Sequence, residues 1–227
     1  MDFMKALDLS AHANMNQTTF FAASSARIND ARTAVIRAFL EETDSEWAWF
    51  LDTDMVFGSE ILPRLLKTAQ AKKAKVVAGL CFILNKKAGS IYPNIYIYHD
   101  PRQPGEARYR HAATWPDEPF EVDGTGGACL LVHREVLEAV GEKYKDRGYP
   151  WQEEWRDSNT GDMEGEDLVF CQKIKACGYA IWYDPGAVVG HIKEVVIGPK
   201  DYAAYVAKNR LEVTPDGKNP QITTFLK

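Results

Sequence analysis

The chain has 227 residues, 45% hydrophobic and 26% charged, with a formal net charge of -5. That is the composition of a globular protein with enough chain for one sizeable core or two small ones. The acidic balance argues against a general nucleic-acid binder, which carries a basic surplus, and leaves room for a local basic patch. No apolar run approaches the roughly 20 residues of a spanning helix, and MDFMKALDLSAHANM has an early acid and no long apolar region. Neither a transmembrane segment nor a signal peptide is expected, and a cytoplasmic location is the expectation that follows.

Phe3, Met4, Leu7 and Leu9 lie close to helical spacing, and TTFFAAS after them reads as a short strand. INDARTAVIRAFLEET is a helix, with Ile28, Ala31, Val35, Ile36 and Leu40 marking one face. EWAWFLD is a strand and SEILPRLLKTAQAKK a second helix, with Ser59 as its N-cap and Pro63 near its first turn. AKVVAGLCFIL is another strand. This alternation predicts an open α/β sheet with parallel strands and flanking helices.

From 86 to 119 the chain turns rich in Pro, Tyr and charge; NIYIYH reads as a strand and the rest as loop or edge hairpin. FEVDGTGGACLLVHREVLEAVG then gives a strand, a Gly-rich turn, an apolar strand and a helix. YPWQEEWRDSNTGDME is a loop, GEDLVFCQKIKACGY a helix with Gly178 at its C′ position, and AIWYDPGAVVGHI a strand and a turn. The polar tail after Pro215 is expected to wrap the surface or fray. Cys81, Cys129, Cys171 and Cys177 form no CxxC and no paired zinc spacing, which predicts reduced, mostly buried thiols.

The chemistry-bearing residues are spread along this order. Asp52 and Asp54 sit where an apolar strand should end, the place where open α/β sheets bind ligands. If strand geometry persists they share a face, and a divalent cation relieves their repulsion. Few oxygen ligands suit Mg²⁺ or Mn²⁺ completed by phosphates and water; two solvated turn residues are the alternative. Glu166 and Asp167 open a helix, which suits the helix dipole and equally suits a general base at the mouth of a site. His191 follows a strand and a glycine and is either a metal ligand or a structural histidine. His12, His99, His111 and His133 read as structural. DGTGGACLL lets backbone approach a ligand or forms a tight hairpin or bulge. Trp151 and Trp155, in a loop before GED, either stack on sugar rings or pack under that loop.

Taken in order, RINDAR, FLDTDMVF, GTGGACLL, GEDLVFCQKIKACGY and GH resemble the GT-A glycosyltransferases, most of all the family 2 type and its small phage and bacterial relatives. The resemblance covers about residues 29–192. It implies a GT-A (Rossmann-like) open mixed sheet, mainly parallel, in a single domain over 1–227. Residues 1–85 would bind nucleotide and metal, 86–119 would be a variable insertion or flap, 120–200 the acceptor and catalytic half, and 201–227 a tail. Asp52 would lie near the donor ribose and the metal, with Thr53 beside it; Asp54 and His191 would bind the metal, Mn²⁺ or Mg²⁺. Asp167 would be the acceptor-activating base of an inverting enzyme, with Glu166 beside it. Arg32 and Asn29 would flank the nucleotide, and Lys193 would add positive charge near the diphosphate. Gly126 and Gly127 would lie where donor sugar and acceptor meet, with Trp151 and Trp155 in that pocket.

The implied donor is a nucleotide-sugar, a UDP-sugar ahead of GDP-mannose. The acceptor is a hydroxyl of a glycan, a protein or a small molecule, in the cytoplasm of a bacterial host if the chain is phage-encoded. One departure from the family is expected to matter: no strand of the PTYN kind precedes the first helix, which implies a shortened sheet or a start downstream of the native one. A metal-dependent nucleotidyltransferase or phosphohydrolase, and an inactive nucleotide-sugar-binding module, are the competing expectations.

Overall fold

A computed structural model describes residues 27–85, 90–99, 108–156, 161, 163–193 and 199. The helix expected over 3–13, the strand TTFFAAS, His12 and the tail after Pro215 lie outside the described residues. The chain divides into two compact units, Met1–Ile192 and Lys193–Lys227, and all elements below belong to the first. Among the described residues no helix is long and apolar enough to cross a membrane.

Helix α1 (Ile28–Glu42) buries Arg32, Thr33, Ile36 and Phe39, the three-to-four spacing of one helical face. Its last carbonyls have no partner within the helix. Arg134 supplies one: its guanidinium donates to the carbonyls of Phe39 at 3.0 Å, Leu40 at 3.2 Å and Thr43 at 2.6 Å. Strand β1 (Trp47–Leu51) follows, then β2 (Met55–Val56) and α2 (Ile61–Lys72). The N-cap of α2 is Glu60, without a side-chain bond, and not Ser59 as expected. Next come β3 (Val76–Leu80) and β4 (Phe82–Asn85), the single strand expected over 74–84 having broken at Cys81. The cause is Asn94, fully buried, whose Oδ1 accepts from Cys81 N at 2.9 Å while its own N donates to Cys81 O at 3.0 Å. The chain therefore leaves the central sheet: β4 pairs with β5 (Ser90–Pro93), and β6 (Ile95–Tyr98) pairs with β7 (Tyr109–His111) in a separate small sheet.

Strands β8 (Phe120–Val122), β9 (Gly124–Thr125) and β10 (Cys129–His133) lead to α3 (Arg134–Lys143). A two-residue hairpin, β11 (Trp155–Arg156) with β12 (Met163–Glu164), lies in the expected loop. Helix α4 (Glu166–Ala176) ends at Gly178, whose φ of 89° is the left-handed C′ conformation expected of it. Strands β13 (Ile181–Val188) and β14 (Gly190–His191) close the unit.

The central sheet has the order β1-β10-β3-β13-β8. It is mixed and flanked by helices, as expected, but mainly antiparallel where mainly parallel pairing was expected. Among the described residues β3 and β13 are the only neighbours in this sheet paired in parallel. Strands β1 and β3 each precede or follow a helix as a parallel pair would, yet β10 threads between them and runs against both; β8 lies antiparallel on β13. Every residue of β3 is buried because both faces are covered. Val76, Ala78 and Leu80 meet side chains of α1, α3 and α4, including Ile36, Leu137 and Ile174. Val77 points the other way, to Ile61, Leu65 and Ala69 of α2. Cys81, Cys129 and Cys171 are buried free thiols, and Cys177 is half-buried.

His133 caps α3: its Nδ1 accepts from Glu135 N at 3.3 Å. Burial, and next the Lys75 ammonium, hold this imidazole below its ordinary value against the pull of Glu135, Glu46 and Glu138. The unfolded chain then takes up the proton first as pH falls, so the stabilisation is complete above the unfolded value of about 6.5 and is lost below it. Asparagine keeps a capping oxygen and cannot titrate. The urea midpoint of wild type should fall more than that of His133→Asn between about pH 7.5 and 5.5; equal falls would show that the cap does not sense pH.

Candidate functional site

Strand β1 ends at Leu51, and the next residues turn. Asp52 N donates to Ala128 O at 3.3 Å and Met55 N to Asp52 O at 3.1 Å. Strand alternation therefore stops before the acids, and Asp52 and Asp54 engage different partners instead of sharing one face. The short ladder between β2 and β14 sets Met55 opposite His191, and Ile192 N donates to Asp54 O at 2.8 Å. This places His191 Nε2 at 3.0 Å from Asp54 Oδ2. The other ring nitrogen, Nδ1, lies 3.0 Å from Phe82 O. A carbonyl only accepts, so Nδ1 carries the hydrogen. Nε2 is then turned on a carboxylate oxygen, a contact that needs a proton or a cation between the two lone pairs. Metal-binding histidines are oriented in this way, with the far N–H held by a carbonyl. These two side chains would be the ones to hold a divalent cation, the imidazole favouring a transition metal such as Mn²⁺ over oxygen-seeking Mg²⁺.

Asp52 is not part of that pair. Its Oδ1 accepts from Arg32 Nη2 at 3.2 Å, and among the described residues no three His, Cys, Asp or Glu side chains are grouped to hold a metal. The three-ligand set expected of Asp52, Asp54 and His191 is thus divided by Arg32, which draws Asp52 away. Arg32 Nη1 bonds Asp167 Oδ1 and lies 3.6 Å from Glu166 Oε1. Burial works against the Arg32 charge, but Asp167 and then Asp52 more than offset it and raise the guanidinium above its ordinary value. Burial, and next the charge of Asp167, also push the Glu166 carboxyl up.

The two glycines differ. A Cβ on Gly127 would lie 2.7 Å from Arg32 Nη1 and 2.8 Å from Asp167 Oδ1, so glycine is needed for this close approach. A Cβ on Gly126 would meet only Asp167 Oδ2 at 3.6 Å and Asn94 Cβ at 3.8 Å, ordinary contacts at the edge of open space.

The other expected site residues are placed unequally. Asn29 is half-buried one turn before Arg32, and Thr53 is exposed between the two acids. Lys193 is exposed and opens the second unit. Trp151 departs from the expectation of a pocket residue: it is 6% exposed, packs on Gly141 of α3 and donates its N–H to Leu137 O at 2.7 Å. Trp155 is half-buried, bonds Glu153 Oε2 at 2.9 Å, and has the Arg147 guanidinium 5.4 Å from its ring centre. Two residues were not singled out in the sequence. Lys173, fully buried on α4, donates to Tyr149 O, Pro150 O and Glu153 Oε2 at 2.9–3.0 Å and so ties down the loop that precedes GED. A lysine on the apolar face of a helix was its only signal. Asn94 donates to Thr125 Oγ1 at 3.3 Å and supports the strand that leads into Gly126.

No family profile and no curated protein matches the sequence. Solved structures do resemble the fold. GalNAc-T7, solved with UDP, GalNAc and Mn²⁺, superposes with a TM-score of 0.53 at 15% identity, over 91% of this chain and 39% of that one. The fold is GT-A-like. A197 from STIV superposes with a TM-score of 0.48 at 18% identity, over 94% of this chain and 84% of that one. This GT-A-like chain therefore spans well under half the length of the GalNAc-T7 chain that it matches.

Proposed function

We propose that the chain is a metal-dependent glycosyltransferase. It moves a sugar from a nucleotide-sugar, a UDP-sugar ahead of GDP-mannose, to a hydroxyl of an acceptor glycan, protein or small molecule, with inversion. The observation that carries this reading is the Asp54–His191 contact with Nδ1 held by the Phe82 carbonyl, set beside the acids gathered by Arg32. The GT-A-like fold supports it.

Asp54 and His191 would hold Mn²⁺ or Mg²⁺, which as a Lewis acid would neutralise charge on the departing diphosphate. Asn29 and Thr53 would contact the donor. Asp52 would bind near its ribose, kept in place by Arg32. Asp167 would take the proton of an acceptor hydroxyl lying over Gly126 through Oδ2, since Oδ1 is held by Arg32. The hydroxyl oxygen would then bond the anomeric carbon as the carbon–oxygen bond to the diphosphate breaks. Trp155 would remain at the acceptor side as a loop anchor.

Ligand that binds only the folded state raises the melting midpoint, by about 2.7 kcal/mol of stabilisation at one hundred times Kd. A panel of UDP, UDP-sugars and GDP-mannose, each with Mn²⁺ and with EDTA, should raise it for one nucleotide class and only with metal. Asp54→Ala should abolish the rise. No shift with any of these donors in wild type would overturn the reading.

A further inference from the structure

Arg32 sits where the donor side and the acceptor side of the site meet. Its side chain, from α1, is 10% exposed. The acids around it come from two other elements, Asp52 from the turn after β1 and Glu166 and Asp167 from the first turn of α4. The guanidinium is a rigid planar fork, and its two terminal nitrogens go to different carboxylates. The backbone of Gly127 packs so closely on it that even a methyl group would lie 2.7 Å from Nη1. Stability alone does not call for this arrangement, because a buried ion cluster is commonly no better than apolar side chains of the same volume. Ile36, on the next turn of the same helix face, is such a side chain and is fully buried. What the cluster does fix is the relation between two carboxylates that no local structure links.

We propose that Arg32 is the positioning residue of this site: by bridging Asp52 to Asp167 it sets the acceptor-side carboxylate against the donor-side turn and directs Asp167 Oδ2 toward the space over Gly126. The proposal rests on the glycosyltransferase reading and deepens it. Lysine retains the charge but is a point donor and cannot span two carboxylates in fixed geometry. Glutamine removes the charge as well.

The test uses the full chain as wild type, Arg32→Lys, Arg32→Gln, Asp167→Asn and the Arg32→Lys/Asp167→Asn double variant. Release of UDP from UDP-glucose and UDP-N-acetylgalactosamine, and of GDP from GDP-mannose, is followed with Mn²⁺ and water as acceptor, from about pH 5 to pH 9. Arg32→Lys should lower kcat on the order of 100-fold, the cost of a small misplacement, and raise donor KM by less than about tenfold, since the same fork also holds Asp52. Added to Asp167→Asn, it should cost less than about threefold more, because the two act as a unit. Arg32→Gln should lower kcat at least as far as Arg32→Lys, because it loses the charge as well as the fork. If Arg32→Gln does not fold, the lysine variant and its double carry the test. Losses that multiply in the double variant, a lysine variant equal to wild type, or melting midpoints that fall with no change in the rate pattern would overturn the proposal and leave the reading standing. A wild type that releases no nucleoside diphosphate from any of these donors would overturn both.

Discussion

Asp167→Asn should lower turnover by two to four orders of magnitude, the usual worth of a general base, and leave metal-dependent donor binding within about threefold. Asparagine is nearly isosteric and its carbonyl oxygen can still accept from Arg32, so the bridge beneath Gly127 keeps its shape. It cannot take a proton from the acceptor. The Asp54–His191 pair belongs to β2, β14 and the turn beside them and is not touched by the change. The competing base is Glu166. Burial and the Asp167 charge raise its carboxyl, and the second of these is removed in Asp167→Asn. If Glu166 were the base, Asp167→Asn would stay within about tenfold of wild type and Glu166→Gln would carry the loss. Measuring nucleotide release and the melting shift on both variants separates them. Gly126→Ala is a companion: its methyl group makes only ordinary contacts, so the melting midpoint should hold while the acceptor KM rises. A midpoint that falls instead would show that Gly126 is packed and not open.

The parts of this site that a sequence displays are those set by local pattern. Helix α1 was legible from its apolar spacing, and Asp52 and Asp54 from their place at the end of an apolar run. The buried face of α1 was not, for of Ile28, Ala31, Val35, Ile36 and Leu40 only Ile36 is fully buried, Ile28 is exposed, and Arg32, Thr33 and Phe39 complete the face instead. Gly178 was legible as a helix stop because only a residue tolerant of positive φ ends a helix that way. The contacts that assemble the site are of another kind. His191 meets Asp54 through two strands of two residues each, too short to show any period. Arg32 was expected beside the nucleotide; its turn inward onto acids from distant elements is encoded in no spacing. Strand pairing was misjudged for a related reason. Alternating strands and helices say which elements exist, and the insertion of β10 between β1 and β3 is a matter of long-range pairing. Trp151 was read in a loop rich in charge and taken toward a pocket. A glycine on α3 makes room for its ring, and the Leu137 carbonyl takes its N–H, neither of which a neighbouring residue announces.

The largest effect on stability should come from a contact on the opposite face of the sheet. Asp184, on β13, is 1% exposed. Arg64 of α2 donates through Nε to both its oxygens at 3.0 Å, with Nη2 at 2.9 Å from Oδ1. Thr68 Oγ1 donates at 2.7 Å and Gly186 N at 2.9 Å. A Cβ on Gly186 would fall 2.0 Å from Arg64 Nη2, so a side chain there would displace the guanidinium. Arg64→Ala leaves the carboxylate buried with one hydroxyl and one N–H, and breaking a buried pair from one side costs about 3 kcal/mol or more. The lower end applies because the Arg64 side chain is 45% exposed and part of its charge was already screened by water. Asp184→Asn should cost less, for it removes the charge and lets Arg64 turn to solvent. The double variant Arg64→Ala/Asp184→Asn should therefore be more stable than Arg64→Ala alone, a coupling that urea unfolding of the four proteins reads directly. The pin also bears on the site, because β13 runs on into β14 and His191. A loosened β13 should weaken the metal-dependent melting shift as well as the fold. Arg64→Ala with an unchanged urea midpoint would mean that the guanidinium is spent on water and that Thr68 and the apolar contacts of Leu65, Ala69 and Ala187 hold α2 to β13 without it.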